Sequence, residues 1–365
     1  MKDCAKLVAL LALLIACSGP GAQTAPSQPT AAPIVAKPAA TAASASAAPT
    51  AVPAAETVRI AHVPSTLFAP LYVAIEKGYF REQAIAPQLE VVTAGQDAMA
   101  LAAQGQLDVV VGGFAAATFN AVERGLEIRA VGSMGAQPQS GFPSALMVRK
   151  DLLDSRQVQT IADLRGRKTA LAGGAGSTGS YWVGTKLREA GLTLRDIDIV
   201  NVPFPDMVTA FKASAIDAAF PPAPFTTEIL RDGTADNFGG PIRPGAAAVG
   251  TLYGVSFMRE RDAAARRVFV ALVRGARDVQ GPDYHSDANL AIFSKYTNIA
   301  IDTLRNIDQY GFDRDLKPDV ETLLDMQRLF LESGILTFTP PLTAERVVDE
   351  TYSRAAVDQL GPYRP

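Results

Sequence analysis

The chain has 365 residues, 48% of them apolar, with 34 Lys and Arg against 37 Asp and Glu, for a net charge of −3. That balance gives nothing to draw it to a polyanion, which argues against nucleic-acid binding. Two Cys and two His leave little material for a disulfide framework, a thiol nucleophile or a His/Cys metal site.

At the N-terminus, Lys2 and Lys6 precede an apolar run from Leu7 to Ala16. As a helix it covers about 15 Å of a roughly 30 Å hydrocarbon layer, too short to span. A basic start, a short apolar stretch and small residues near position 16 describe a secretory signal peptide over residues 1–16. The end of the run, Leu14-Ile15-Ala16-Cys17, resembles the lipobox of bacterial lipoproteins. That resemblance implies lipidation at Cys17; an ordinary signal peptide with an incidental Cys is the alternative. Cys4 leaves with the leader, so the mature chain has no pair of thiols. From Ser18 to Glu56, 32 of 39 residues are Ala, Pro, Ser, Thr or Gly. Such a stretch buries too little surface to offset the ordering of its backbone. Residues 17–56 therefore read as a disordered tether, with a reach of about 35 Å as a flexible coil.

The remainder contains a duplication at a lag of 109. Asp97 and Asp108 stand eleven apart in QDAMALAAQGQLD, as Asp206 and Asp217 do in PDMVTAFKASAID. Val58 to Ala61 matches Arg167 to Ala170, and Leu89 to Val92 matches Asp198 to Asn201. Each copy reads strand, helix, strand, helix, strand. In the first, Ser65 or Thr66 can cap a helix through Leu71 and Ile75 that Gly78 ends; in the second, Ser177 to Ser180 leads into a helix closed by Gly191. Asp97 and Asp206 suit capping of the second helix of each copy. Units of this kind need mostly parallel strands with right-handed crossovers, so each copy predicts a small α/β lobe. Ser144 to Lys150 and Gly250 to Arg259 read as two strand-like crossings between lobes. From Arg261 onward the chain is mainly amphipathic helix, including Pro318 to Glu332 and Ala344 to Leu360, expected to pack on lobe one. Lobe one then comprises residues 57–149 and 250–365, and lobe two residues 150–249.

The runs FAPLYVAIEKGYFREQ, AGQDAMALAAQGQLDVVVGG, IADLRGRKTALAGGAGSTGSYW and LLDMQRLFLESGIL resemble, in that order, the extracytoplasmic solute-binding proteins of ABC importers. The branch is the one whose members bind aliphatic sulfonates, taurine, nitrate or thiamine-type pyrimidines. The resemblance implies a type II periplasmic-binding-protein fold, with a ligand in the cleft between two lobes that close by hinge motion. It also implies a permease in the membrane as partner, an extracytoplasmic, lipid-anchored location, a monomer, and no cofactor or bound metal.

Ligands of open α/β sheets lie beyond the carboxyl ends of the strands. In lobe one that selects the loop from His62 to Ala69, with Ser65, Phe68 and Ala69, and the loop Gly112 to Ala115, with Gly113, Phe114 and Ala115. In lobe two it selects Ala172 to Ser180, with Gly176, Ser177, Thr178, Gly179 and Ser180, and Pro221 to Phe225, with Pro222 and Phe225. Tyr253, in the return crossing, is expected to reach the ligand from the hinge. The loop GGAGSTGS offers bare amides and hydroxyls to an oxygen-rich group, or is a helix-capping turn with no ligand. It lacks the Gly-Lys-Ser/Thr ending of a nucleotide P-loop. Trp182, on a helix, is expected to be packing. No Arg or Lys lies in these loops. That favours a sulfonate with an organic tail, or a pyrimidine- or flavin-like heterocycle, over nitrate.

Two other readings share the fold. Some relatives of the pyrimidine-binding proteins are synthases, associated with a Cys-rich iron-binding motif and an active-site His; this chain has no Cys after Cys17, and His62 and His285 are far apart in sequence. A tethered sensor that signals to a membrane receptor is the third.

Overall fold

The computed structural model describes residues 55–92, 98–126 and 128–364. The leader, Cys17, the tether up to position 54, and Asp97 lie outside them. Elements follow in chain order as β1 Glu56–His62, α1 Ala69–Glu76, β2 Ile85–Val91, β3 Val109–Gly113, α2 Ala116–Glu123, β4 Ile128–Ser133, β5 Met147–Arg149, β6 Lys168–Ala170, α3 Thr178–Glu189, β7 Asp198–Val200, α4 Phe204–Lys212, β8 Ala218–Ala219, β9 Ala235–Asn237, β10 Val249–Gly254, α5 Asp262–Arg277 and α6 Val320–Glu332, with shorter helices between them. Glu56, assigned above to the tether, opens β1. Its carboxylate accepts from Arg261 and Arg267, both at 2.7 Å.

Among the described residues these strands form two five-stranded sheets, ordered β2-β1-β3-β10-β4 and β7-β6-β8-β5-β9. In each, the first three strands are parallel and the fourth runs against its neighbours. The duplication is therefore visible in the topology. Asp108 shows what its repeated carboxylate does: Arg59 N donates to Oδ2 at 2.8 Å, while Asp108 N donates to Arg59 O. In the second copy, Lys168 N donates to Asp217 Oδ2 at 3.0 Å, and Asp217 N donates to Lys168 O. Each Asp thus ties the start of the third strand to the first. An Arg meets each carboxylate too, Arg261 at 3.2 Å from Asp108 and Arg149 at 3.3 Å from Asp217.

The run Val109-Val110-Val111 is buried throughout because both faces of the first sheet are covered. Val109 and Val111 pack with α1 and α5 through Leu71, Phe269 and Val273, while Val110 faces Met99 and Phe119. The second sheet is shorter and packs Ala170 and Ala219 against Met207 and Phe211 of α4.

Three expectations are corrected. β5 belongs to the second sheet and β10 to the interior of the first, so the segments that pass between the sheets are 134–146 and 238–248, upstream of the stretches expected. Val255–Glu260 is helix, not strand. The expected helix from Ala344 to Leu360 breaks into Ala344–Val347 and Thr351–Leu360, because Val348 bridges to Ala130 and Asp349 N donates to Ala130 O at 2.9 Å. This covers the open edge of β4, which would otherwise leave its ladder groups unpaired.

The helix α6 does more than pack on the first sheet. Asp319 caps it, accepting from Thr322 N at 3.0 Å, and Leu329 lies against Gly184 of α3, where an added Cβ would fall 2.9 Å from Leu329 Cδ2. Asp325 accepts from both guanidinium nitrogens of Arg188, at 3.0 and 2.8 Å, from Arg243 at 2.7 Å and from the Tyr181 hydroxyl at 3.0 Å. Burial opposes the Asp325 charge, but the bonds and charges of Arg188, Tyr181 and Arg243 outweigh it and hold the carboxyl below its ordinary value.

Candidate functional site

A cavity of about 220 Å³ lies where the carboxyl ends of the parallel strands of the two sheets face each other. The turn after β1 supplies Ser65, Leu67 and Phe68, and the end of β3 supplies Gly113 and Ala115. From the second sheet come Ala172, Ser177, Thr178 and Gly179 after β6, Phe204 after β7, and Phe220, Pro222, Ala223, Pro224 and Phe225 after β8. Gly135, Gln137 and Ser144 line it from the segment that crosses between the sheets. A second hollow, around Arg129, Glu345, Asp349 and Arg354, is more open, ringed by charge and sits at the start of β4, away from the strand ends.

The local chemistry explains the shape. Ser65 Oγ accepts from Leu67 N at 3.3 Å, which tightens the turn and brings Phe68 to the wall. Ser177 caps α3 by accepting from Ser180 N at 3.2 Å. The first two amides of that helix, Thr178 and Gly179, have no hydrogen-bond partner among the described residues, and both residues line the cavity, a placement in which helix starts can hold an oxygen-bearing group. Thr178 Oγ1 donates to Phe114 O at 2.6 Å and so joins loops of the two sheets directly. Gly113 is where they come closest, since a Cβ there would stand 2.2 Å from Thr178 Oγ1. Only a residue without a side chain admits this contact.

Of the residues expected to contact a ligand, Ser65, Phe68, Gly113, Ala115, Ser177, Thr178, Gly179, Pro222 and Phe225 line the cavity. Five do not, each for a stated reason. Tyr253 is wholly buried in β10, its hydroxyl donating to Ala265 O at 3.1 Å and its ring packed edge-on to Phe257 and Tyr352. β10 runs against β3, pairing Val249 with Gly113 and Tyr253 with Val109, so Val249 is at the cavity and Tyr253 about 13 Å further down the sheet. Phe114 turns its ring into the core over Gly250 and offers only its carbonyl to the interlobe contact. Ala69 is fully buried with Val73. The Ser180 hydroxyl is engaged by Ala175 O and Ser177 O. Gly176 packs against Ala116 instead, where an added Cβ would approach to 3.0 Å.

Trp182 packs as expected, buried in the hydrophobic core with its ring 4.8 Å from that of Tyr181, and it also lines the cavity. Phe204, Gln137 and Leu67 were not anticipated. The crossing segment around Gln137 carries a signal that could have found it, the polar run Gln137-Pro138-Gln139-Ser140 between the first sheet and the second.

The cavity has the rings of Phe68, Trp182, Phe204, Phe220 and Phe225 on its walls and, among the described residues, no charged side chain and no His. His62 lies behind it, with Nδ1 3.1 Å from the Tyr72 hydroxyl, and burial pulls its pKa below the ordinary value. Among the described residues no group of His, Cys, Asp and Glu is arranged to hold a metal ion, and no helix is long and apolar enough to cross a membrane.

Residues 65–229 match the family model described as NMT1/THI5 like. No curated protein sequence matches the chain significantly. Among solved structures, the chain is similar to the alkanesulfonate-binding protein SsuA of Xanthomonas axonopodis pv. citri bound to MOPS, with 17% identity, a TM-score of 0.63 and 80% of this chain and 99% of that one covered. It is similar to the periplasmic nitrate-binding protein NrtA of Synechocystis PCC 6803, at 13% identity, a TM-score of 0.66 and coverage of 84% and 89%. A Candida albicans gene product described as having the generic periplasmic binding protein fold aligns at 12% identity, a TM-score of 0.61 and coverage of 83% and 94%. Residues 65–229 thus match the NMT1/THI5-like family model, and the chain that carries them has the periplasmic-binding-protein fold.

Proposed function

We propose that the protein is the extracytoplasmic solute-binding receptor of an ABC importer, and that its cleft takes a small organic solute with a flat apolar body and an oxygen-bearing end. One observation carries this reading: a cavity between two α/β sheets, walled by aromatic rings and free of charged side chains among the described residues, with unpaired helix amides at one side. Two of the structures it is similar to are named as binding proteins, for alkanesulfonate and for nitrate. Magnitudes separate those ligand classes here. Burying about 150 Å² of ring surface contributes about 4 kcal/mol, roughly a thousandfold in affinity. Nitrate has no such surface, and no described cation in the cavity offsets its dehydration. An organosulfonate or a heterocycle gains that burial and can set its oxygens on the amides of Thr178 and Gly179. The absence of carboxylate, imidazole and thiol from the described lining supports binding over catalysis.

A thermal-shift screen of sulfonates, pyrimidines, flavins, aromatic acids and nitrate tests the reading, because a solute that binds only the native state raises the melting temperature. Stabilisation by nitrate alone would overturn it. The reading includes a lipid anchor at Cys17 and a monomer that works beside a permease. Cys17→Ser is then expected to move the protein from the membrane fraction of its bacterial host to the soluble fraction and to end labelling by a fatty-acid analogue. Continued labelling of the variant would contradict the anchor.

A further inference from the structure

We propose that Gln137 is the specificity-determining residue of the cavity, and that it recognises a ring edge on which a hydrogen-bond acceptor sits beside a donor, as in a cyclic amide. The inference rests on the cavity being the solute site.

Gln137 is 9% exposed and lines the cavity. Its backbone is held on both sides, its N–H donating to Ala246 O at 2.9 Å and its carbonyl accepting from Gly245 N at 2.8 Å. The residues leading to it are anchored one after another, Met134 N to Val249 O, Gly135 N to Leu67 O and Ala136 N to Gly311 O. The side chain is therefore carried on a rigid support, yet among the described residues its carboxamide has no hydrogen-bond partner. Its polar atoms are not among the fully buried ones, so water meets them from the cavity, and a solute that displaces this water has to replace its hydrogen bonds.

The other polar side chains on the wall are already engaged, wholly or in part. Thr178 donates to Phe114 O, Thr297 donates to Phe293 O at 2.7 Å, and Ser144 pairs with the Tyr310 hydroxyl at 2.7 Å. Ser65 and Ser177 each accept from an amide, which leaves a single O–H to donate. Gln137 alone among the described lining side chains presents a donor and an acceptor together, in one plane. Such an edge pairs with a complementary edge through two bonds and rejects an analogue that lacks it, since the carboxamide is then left unpaired in an apolar site.

The test is equilibrium dialysis of 2-pyridone, its N-methyl derivative and toluene against the wild type and Q137L, with Q137E as the isosteric variant that also carries the test should Q137L fail to fold. For two bonds, 2-pyridone is expected to bind the wild type about 30-fold more tightly than either variant. N-methyl-2-pyridone, which lacks the donor, should lose most of that difference, and toluene should bind wild type and Q137L alike. Equal affinity of 2-pyridone for wild type and variants, with toluene still bound, overturns the role of Gln137 and leaves the solute site standing. Failure of the wild type to take up any of the three rings overturns the reading of the cavity, and the role of Gln137 with it.

Discussion

Gly113→Ala is expected to weaken solute binding about 100-fold while the protein remains folded. The added Cβ would stand 2.2 Å from Thr178 Oγ1 across the contact between the two sheets. Nothing can relieve it except separation of the loops or loss of the 2.6 Å bond from Thr178 to Phe114 O. Overpacking of this kind costs about 1–3 kcal/mol and a lost hydrogen bond about 1 kcal/mol, and about 3 kcal/mol corresponds to the stated loss. The strain arises only where loops of the two sheets meet, so in the proposed receptor it falls on the contact beside the solute and spares the core of each sheet. Adding Thr178→Ala should restore part of the affinity, because the nearest atom to the new methyl is then the residue 178 Cβ, at 3.2 Å. Calorimetry on both variants reads the effect. An affinity unchanged in Gly113→Ala would show that the contact between Gly113 and Thr178 is not part of the bound state.

Asp325→Ala is expected to lower stability by about 3 kcal/mol. Its carboxylate takes two bonds from Arg188, one from Arg243 and one from Tyr181, and it joins α6 to the second sheet's helix α3. Removing one member of a buried ionic cluster leaves its partners uncompensated, a loss of about 3–5 kcal/mol. The side chains of Arg188 and Arg243 are 37% and 26% exposed, so solvent screens part of the deficit and the lower figure applies. Glu321→Ala is the control. Glu321 also meets Arg243, at 2.9 Å, but is 86% exposed, and its loss should cost less than about 1 kcal/mol. Urea denaturation separates the two. The pH dependence follows from the lowered Asp325 pKa: its stabilisation is complete above the ordinary carboxylate range and fades as pH falls through the depressed folded value. Equal, small losses in both variants would mean that the cluster does not join α6 to the second lobe.

Much of the fold was legible because the local signals and the tertiary pattern agree. A continuous run of β-branched residues, Val109 to Val111, favours a strand covered on both faces, and the lag of 109 between Asp108 and Asp217 marks one structural role, tying third strand to first. Strand direction was not legible. Tyr253 was placed at the cleft because the segment was taken to cross between lobes, and its antiparallel course through the first sheet puts its far end in the core. The loop rule located residues at and just beyond strand ends, such as Gly113 at the end of β3 and Ser177 in the loop from β6 to α3. It missed those that reach the cavity from elsewhere: Trp182 from the second residue after Ser180 on a helix, Phe204 from a helix start, and Gln137 from the crossing segment. For Trp182 and Phe204 the position depends on how the two sheets face each other, which pattern along one chain does not encode; for Gln137 the polar run of the crossing segment was the available signal.

The central claim is that the cavity captures an organic solute by burying its apolar body. Isothermal titration of the best compound from the thermal screen, run at several temperatures beside nitrate, tests it most directly. The expected result is a 1:1 complex at least about 100-fold tighter than any nitrate binding, with the negative heat-capacity change that accompanies apolar burial. Stoichiometric nitrate binding of comparable affinity, or an organic complex with no heat-capacity change, would contradict it.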